Sequence, residues 1–469
     1  MPSDPPAPAP GPGSLFDPLF TSDAMDAATS PEAWTAALLA FERELARAEA
    51  DAGVVPRPAA EAVAGVAGRI HPRPGDLGVA ARSAGNPVVP LVRALAAAVD
   101  DAPGAAGHGA WAHFGATSQD AMDTAAMLVA REGCRLLLAD VGAAADACAA
   151  LARRHRRTLM TGRTLLQPAL PITFGLKVAG WLVGLVEAAA VVERVAAERL
   201  AVQLGGAAGS LASLGDRGPA VSARLAERLG LAEAPLPWHT DRGRVVELAG
   251  ALVGLANAAA KVAFDVVLLA QAEVGEVTEG GGGGHGGSST MPHKANPVSS
   301  VLVLAAARRA HGAAAVLVSS GVQDHERAGT GGWHAEWQAL TDLLRAAGGC
   351  ANGVATVVDR LTVSPSRMAA NLDRTGGVLM AERVALDLAP ELGRAPAAEV
   401  VGAASRRAIE TGCSFRQALA AEPEVARRRD PGALDRLCEP EGYLGANDEL
   451  IDRALARHDA WTRSEEGAP

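Results

Sequence analysis

At 469 residues the chain has room for two or three domains and a large core. A formal net charge of −10 with only 3% aromatic residues excludes a nucleic-acid surface, which needs a basic stripe and stacking rings. Apolar residues make up 49%, much of it alanine with few β-branched or aromatic clusters, a balance that favours helices over sheets.

Residues 1–13 carry six prolines and no apolar run, which reads as a disordered tail rather than a signal peptide or anchor. Residues 14–110 read as a small helical domain. Within it, residues 34–52 have a helical period, with Leu38, Leu39, Phe41, Leu45 and Ala48 near one face and charges opposite. Prolines then punctuate the chain, and Ser83-Ala84-Gly85-Asn86-Pro87 reads as a break with Asn86 as a turn residue.

His113-Phe114-Gly115-Ala116-Thr117-Ser118-Gln119-Asp120 precedes a long helical stretch. Thr117, Ser118 and Asp120 suit a helix start, where side-chain oxygens satisfy free N–H groups. Hydroxyls and open amides at such a place also bind carboxylates, so both readings are kept, with Asp120 and Asp123 structural. The run from Gly162 to Pro171, which includes Thr164, Leu165 and Gln167, is expected to open another helix, its Thr and Pro falling where a helix start tolerates them.

Residues 177–204, 242–279 and 298–320 read as long Ala/Leu/Val helices with few breakers. Helices apolar nearly all round pack in a bundle, here expected between subunits. Glu187 interrupts one apolar segment and Asn257, Lys261 and Asp265 another, so no membrane span is expected. Trp238-His239-Thr240 precedes the second of these helices. Gln323 to Arg327 and Trp333 to Trp337 form a later polar cluster in which Arg327 is suited to clamp a carboxylate. The five cysteines are widely spaced without a CxxC, as in reduced thiols of a cytoplasmic protein, and no His/Cys cluster has metal-ligand spacing. The expected organisation is therefore all-α: a 14–110 domain, a 111–361 bundle, and a third helical domain over 362–469, with a break at Arg374 to Gly377.

The segment 280–300 stands apart. Seven of the eight residues from Gly280 to Gly287 are glycine, and Ser288, Ser289, Met291, Lys294 and Asn296 follow at once. Glycine loses much entropy on ordering, so this is a poor core and a plausible ligand-closing loop. Lysine is rare here, with only Lys177, Lys261 and Lys294, and one on such a loop marks a wanted point charge.

The run Gly287-Ser288-Ser289-Thr290-Met291-Pro292-His293-Lys294-Ala295-Asn296-Pro297 resembles the GSSxMPxKxNP signature of the fumarase/aspartase superfamily. The 113–124 block, the Gly162 to Pro171 block, the WHT triplet and the HER…WHAEW spacing are similar to its carboxymuconate cycloisomerase branch, and the resemblance spans nearly the whole chain. It implies a homotetramer whose central helices form one bundle, with each active site drawing on three subunits. It implies Ser288 as the base with Lys294 beside it. Contacts to a small di- or tricarboxylate would come from Asn86, Thr117, Ser118, Gln119, Thr164, Gln167, Ser289, Met291, Asn296 and Arg327. No metal or organic cofactor is implied.

Two departures bear on the substrate. Leu165 stands where fumarases and several lyases of the superfamily carry a proton-donating or relaying histidine, which disfavours a leaving group that needs protonation. Ala295 stands where many cycloisomerases carry arginine. The alternatives are a fumarate-releasing lyase of the nitrosuccinate type, then one of the adenylosuccinate type, and from another class a non-catalytic structural oligomer.

Overall fold

The computed structural model describes residues 15–280, 294–327 and 329–466. The fold is all-α, apart from two small antiparallel sheets of two strands each among the described residues. In chain order come α1 (Asp23–Ala28), α2 (Pro31–Asp51), α3 (Arg57–Ala67), α4 (Pro74–Ala84), α5 (Val88–Asp100) and the long α6 (Ser118–Arg154). Strands β1 (Leu159–Thr164) and β2 (Gln167–Thr173) precede α7 (Phe174–Arg199), α8 (Gly218–Leu229) and α9 (Gly243–Leu269). Then follow β3 (Val277–Glu279), α10 (Val298–Ser319), α11 (Gly332–Asp359), β4 (Leu361–Val363), α12 (Pro365–Asp373), α13 (Ala381–Leu392) and α14 (Arg394–Thr411), with further short helices and a last one over Asn447–Glu466.

Local chemistry explains most of these boundaries. Ser30 Oγ accepts from Ala33 N and Pro31 occupies the first turn, so α2 starts where a cap and a preset φ coincide. Its Leu38, Leu39, Phe41, Leu45 and Ala48 are all buried, as their period requires. Gly85 ends α4 in the left-handed region (φ 76°). Near the C-terminus Ser414 and Gln417 form a reciprocal capping box. There α13, α14 and their neighbours close a core of Met380, Val384, Leu388, Val401, Phe415 and Leu419.

The chain groups into two compact units. One comprises Met1–Val141, Glu187–Ala260 and Leu302–Val354; the other comprises Gly142–Val186, Lys261–Val301 and Ala355–Pro469. All the boundaries fall inside the long helices α6, α7, α9, α10 and α11.

The expected helix start at Gly162 to Pro171 is corrected. These residues form the β1–β2 hairpin, and α7 begins only at Phe174, where Thr173 Oγ1 accepts from Leu176 N. Pro168 and Pro171 inside a helix would each remove a bond and clash with the preceding turn, whereas β2 accommodates both. The register shifts between Thr161 and Arg163, at Gly162, where a Cβ would lie 2.8 Å from Leu170 O. Leu165 (φ 47°) and Leu166 (φ 63°) make the two-residue turn, both left-handed as a tight hairpin demands, and both side chains are exposed.

The expectation about membrane spans is also corrected on length and composition. Phe174–Arg199, Gly243–Leu269 and Val298–Ser319 are long and apolar enough to cross a bilayer, because one or two charges in such a window leave its mean hydropathy high. A third to a half of each apolar window is buried within the chain, and Val191, Phe264, Val301 and Val318 are left exposed.

Candidate active site

In the first unit the start of α6 is held by a buried carboxylate. Asp120 is fully buried; its Oδ2 accepts from Thr117 N and Gly206 N, both at 2.9 Å. Its Oδ1 accepts from Gly205 N at 3.0 Å and from His239 Nε2 at 2.6 Å. One turn on, Asp123 accepts from Arg242 (2.8 and 3.1 Å) and from Trp333 Nε1 at 2.9 Å. Arg242 also donates to Glu336, from Nε at 3.0 Å and again from Nη2, and lies over the Trp238 ring. Burial works against the Arg242 charge, but Asp123 and Glu336 outweigh it and hold its pKa above the ordinary arginine value. Glu336 in turn accepts from Gln323 Nε2 at 3.0 Å, which fixes the beginning of the segment that carries Arg327.

Just before α6, His113 Nδ1 donates to the buried Glu42 at 2.6 Å. Burial opposes the His113 charge, yet Glu42, and Asp120 beyond it, raise its pKa above the usual histidine value. A cleft of about 400 Å³ lies in the same unit, walled by Trp34, Leu38, Leu77, Met122 and Trp337. Pro87 also lines it, next to Asn86, and Met122 lies one turn beyond Ser118 on the same helix face.

In the second unit the buried Glu276 takes two bonds from Arg163, at 2.9 and 2.7 Å, and one from Asn371 Nδ2 at 2.8 Å. This ties the hairpin to the residue just before β3. Glu279, the last residue of β3, accepts from Ser299 N at 3.0 Å and Ser300 N at 2.8 Å, so it caps the start of α10. Gly280 N donates to Arg360 O at 2.8 Å. Among the described residues no group of three His, Cys, Asp or Glu side chains is placed to hold a metal ion.

A family model described as a lyase matches residues 23–312, and one described as the adenylosuccinate lyase C-terminus matches residues 377–454. The chain is 43% identical to a 3-carboxy-cis,cis-muconate cycloisomerase of Bradyrhizobium diazoefficiens, over 94% of this chain and 97% of that protein. It is also 43% identical to a nitrosuccinate lyase of Streptomyces davaonensis, over 95% of each. The crystal structure of the 3-carboxy-cis,cis-muconate lactonizing enzyme from Pseudomonas putida superposes with a TM-score of 0.88 at 39% identity, covering 96% of this chain and all of that one. The chain belongs to the fumarase/aspartase superfamily.

As a superfamily enzyme of the cycloisomerase and lyase type, it presents its expected site residues in distinct settings. Thr117 and Ser118 are half-buried at the start of α6, available to a ligand. Gln119 is not: it is 1% exposed, and its Nε2 donates to His239 O at 2.8 Å and Asp123 at 3.3 Å. Asn86 is buried in its turn, where Oδ1 accepts from Val88 N at 3.1 Å. Thr164 and Gln167 are exposed and face each other across the hairpin turn. Lys294 is exposed and Asn296 half-buried. Arg327 is half-buried, with Nε unpartnered among the described residues. Ser288, Ser289 and Met291 lie outside the described residues. The residues that sequence reasoning did not assign are Arg242, Glu276 and Glu279, together with His239, whose role it left open. Each has a partner far along the chain or a backbone amide, and only the WHT triplet gave a local signal.

Proposed function

We propose that the chain is a cycloisomerase of the carboxymuconate type. It transfers a proton at the carbon next to a carboxylate and makes or breaks a C–O bond at the neighbouring carbon, interconverting 3-carboxy-cis,cis-muconate and a lactone. The observation that carries this reading is the β1–β2 turn. Leu165 and Leu166 occupy it, the first where other superfamily members carry histidine, so the turn offers no side chain that delivers a proton. A carboxylate, as the group that attacks and departs, is a weak base and needs none.

In this reading Ser288 removes the proton. Lys294, Asn296, Thr117 and Ser118 hold the developing aci-carboxylate, and Arg327 clamps a second carboxylate. Asn86, Thr164, Gln167, Ser289 and Met291 complete the contacts, while Gln119 supports the core instead. A serine is a weak base unaided, so Ser288 needs amides and a cation that favour its alkoxide. The recurrence of carboxymuconate cycloisomerases among the relatives, at 37–43% identity over 90% or more of this chain, ranks the muconate first. Following the family, the enzyme is assigned as a cytoplasmic homotetramer of three-domain subunits, with different copies supplying residues to one site. The exposed apolar faces of α7, α9 and α10 would then be covered by other copies rather than by lipid.

A second reading, cleavage of nitrosuccinate to fumarate and nitrite, is favoured by the equal identity to the nitrosuccinate lyase and by Ala295, which offers no cation to a third carboxylate. Nitrite also departs without an acid. Spectrophotometric assay of both substrates separates the two: loss of diene absorbance supports the first, and fumarate with nitrite from an enzyme inert to muconate supports the second. Ser288→Ala is expected to keep the oligomer and remove nearly all turnover; a wild-type kcat in that variant would exclude Ser288 as base.

A further inference from the structure

The proposed carboxylate contact at Thr117 and Ser118 leaves one buried neighbour without a role. We infer that His239, acting through Asp120, is a positioning residue for the Thr117–Ser118 turn, an inference that rests on the reading of this turn as a substrate contact. A third-position carboxylate that reaches back to the cap amide is ordinary helix chemistry, and for that Asp120 needs no histidine. Asp120 does more. It gathers four donors, from Thr117 N, Gly205 N, Gly206 N and His239 Nε2, and has no exposed surface.

The histidine bond is the shortest of the four at 2.6 Å, and the only one given by a side chain. It therefore sets the rotation of the carboxylate that the three amides share. Gly205 packs close against the ring: a Cβ there would lie 2.7 Å from His239 Cε1 and 2.8 Å from Pro237 Cβ. The main chain of His239 takes part as well, since its carbonyl accepts from Gln119 Nε2 at 2.8 Å. Side chain and backbone of one residue thus hold two residues in the first turn of α6.

The same geometry argues against a proton-transfer role. A carboxylate only accepts, so the ring proton sits on Nε2. Nδ1 is buried and has no partner among the described residues, so none of their side chains stands ready to take a proton from the ring. What His239 supplies is a fixed donor. Without it Asp120 would be left a buried charge short of one bond, and the amides it orders would loosen.

The test compares His239→Leu with His239→Gln. Gln can place an amide donor near the position of the ring Nε2 but cannot carry protons at neutral pH. With 3-carboxy-cis,cis-muconate, the Leu variant is expected to lower kcat/KM roughly ten- to hundred-fold, the size of a lost hydrogen bond to a charged group, and kcat shares in the loss because Thr117 and Ser118 hold charge that develops in the transition state. The Gln variant is expected to restore both. Hydrogen exchange at the Thr117, Gly205 and Gly206 amides, which needs no substrate, should quicken in the Leu variant and recover in the Gln variant. Unchanged exchange in the Leu variant overturns the inference, and so does a Gln variant with restored exchange but lost kcat, which would make His239 a proton carrier. If the wild type turns over neither muconate nor nitrosuccinate, the functional reading fails, while the exchange comparison still decides the positioning.

Discussion

Replacing Glu49 by glutamine is expected to stabilise the chain, and by more as the pH rises. Glu49 lies on α2 with no exposed surface, and neither of its carboxyl oxygens has a hydrogen-bond partner among the described residues. Burial raises its pKa from 4.5 to about 9, with repulsion from Glu42, two turns earlier on the same face, as the smaller cause. Glu42 is itself engaged with His113, so it does not supply Glu49 with a donor. In the unfolded chain the Glu49 carboxyl titrates near 4.5. Between pH 4.5 and about 9 the folded protein therefore keeps a proton that the unfolded chain has released, and stability falls as pH rises through that window. At pH 7 the interval above 4.5 is about 2.5 units, which at about 1.36 kcal/mol per unit costs about 3 kcal/mol. Gln matches the neutral form in shape and removes the dependence. Urea unfolding followed by circular dichroism at pH 5, 6, 7 and 8 should show the variant close to wild type at the acid end. At pH 7 it should be more stable by up to about 3 kcal/mol. A difference that stays constant across the series would mean that Glu49 is ionised in the folded protein, and the argument from burial would fail.

Arg242→Met should cost about 3–5 kcal/mol, because it leaves Asp123 and Glu336 as buried charges without their cation; denaturant midpoints measure it, and a change under 1 kcal/mol would show that the pair is not desolvated. Glu279→Ala should remove the acceptor of two amides at the start of α10, costing about 0.5–2 kcal/mol, with faster exchange at Ser299 and Ser300 and little change elsewhere.

Where the sequence was informative, a local cause was at work. The period of α2, the start of α6 at Thr117 and Ser118 and the break at Arg374 to Gly377 each depend on residues within a few positions, and the structure has them where expected. The run from Gly162 to Pro171 reads as a helix start and not as part of the Leu159–Thr173 hairpin because Thr and Pro suit both. The better signal was Pro171, too far into the run for a first turn, beside the β-branched Ile172 and Thr173. The α7 and α9 ends also fall earlier than the composition suggests, at Arg199 and Leu269, since the flanks over 200–204 and 270–279 hold no proline and only one glycine to mark a stop. The polar network was out of reach for a different reason. His239 and Asp120 are 119 residues apart, and Arg242 and Glu336 are 94 apart, and no periodicity links such partners.

The buried polar clusters of the two units, each taken by itself, also say how the chain divides labour between its charges. Of the residues proposed to meet the substrate, Thr117, Ser118, Lys294 and Arg327 are half-buried or exposed, whereas Asp120, Asp123, Arg242, Glu276 and Glu336 are buried and bonded. Burying ions costs several kcal/mol each, and apolar residues of similar volume often serve stability as well or better. Stability alone therefore gives little reason for these groups. Their placement gives one: Asp120 and Asp123 stand in the first two turns of α6, and Arg163 precedes Thr164 in the hairpin. Glu276 stands just before β3, the strand that leads into the glycine-rich segment. Catalysis by preorganised donors requires that their orientation be fixed before substrate arrives, so that no reorganisation is needed in the transition state. Buried carboxylates that accept several bonds at set angles meet that requirement, and a packed apolar side chain, which exerts no directional hold on an amide, does not.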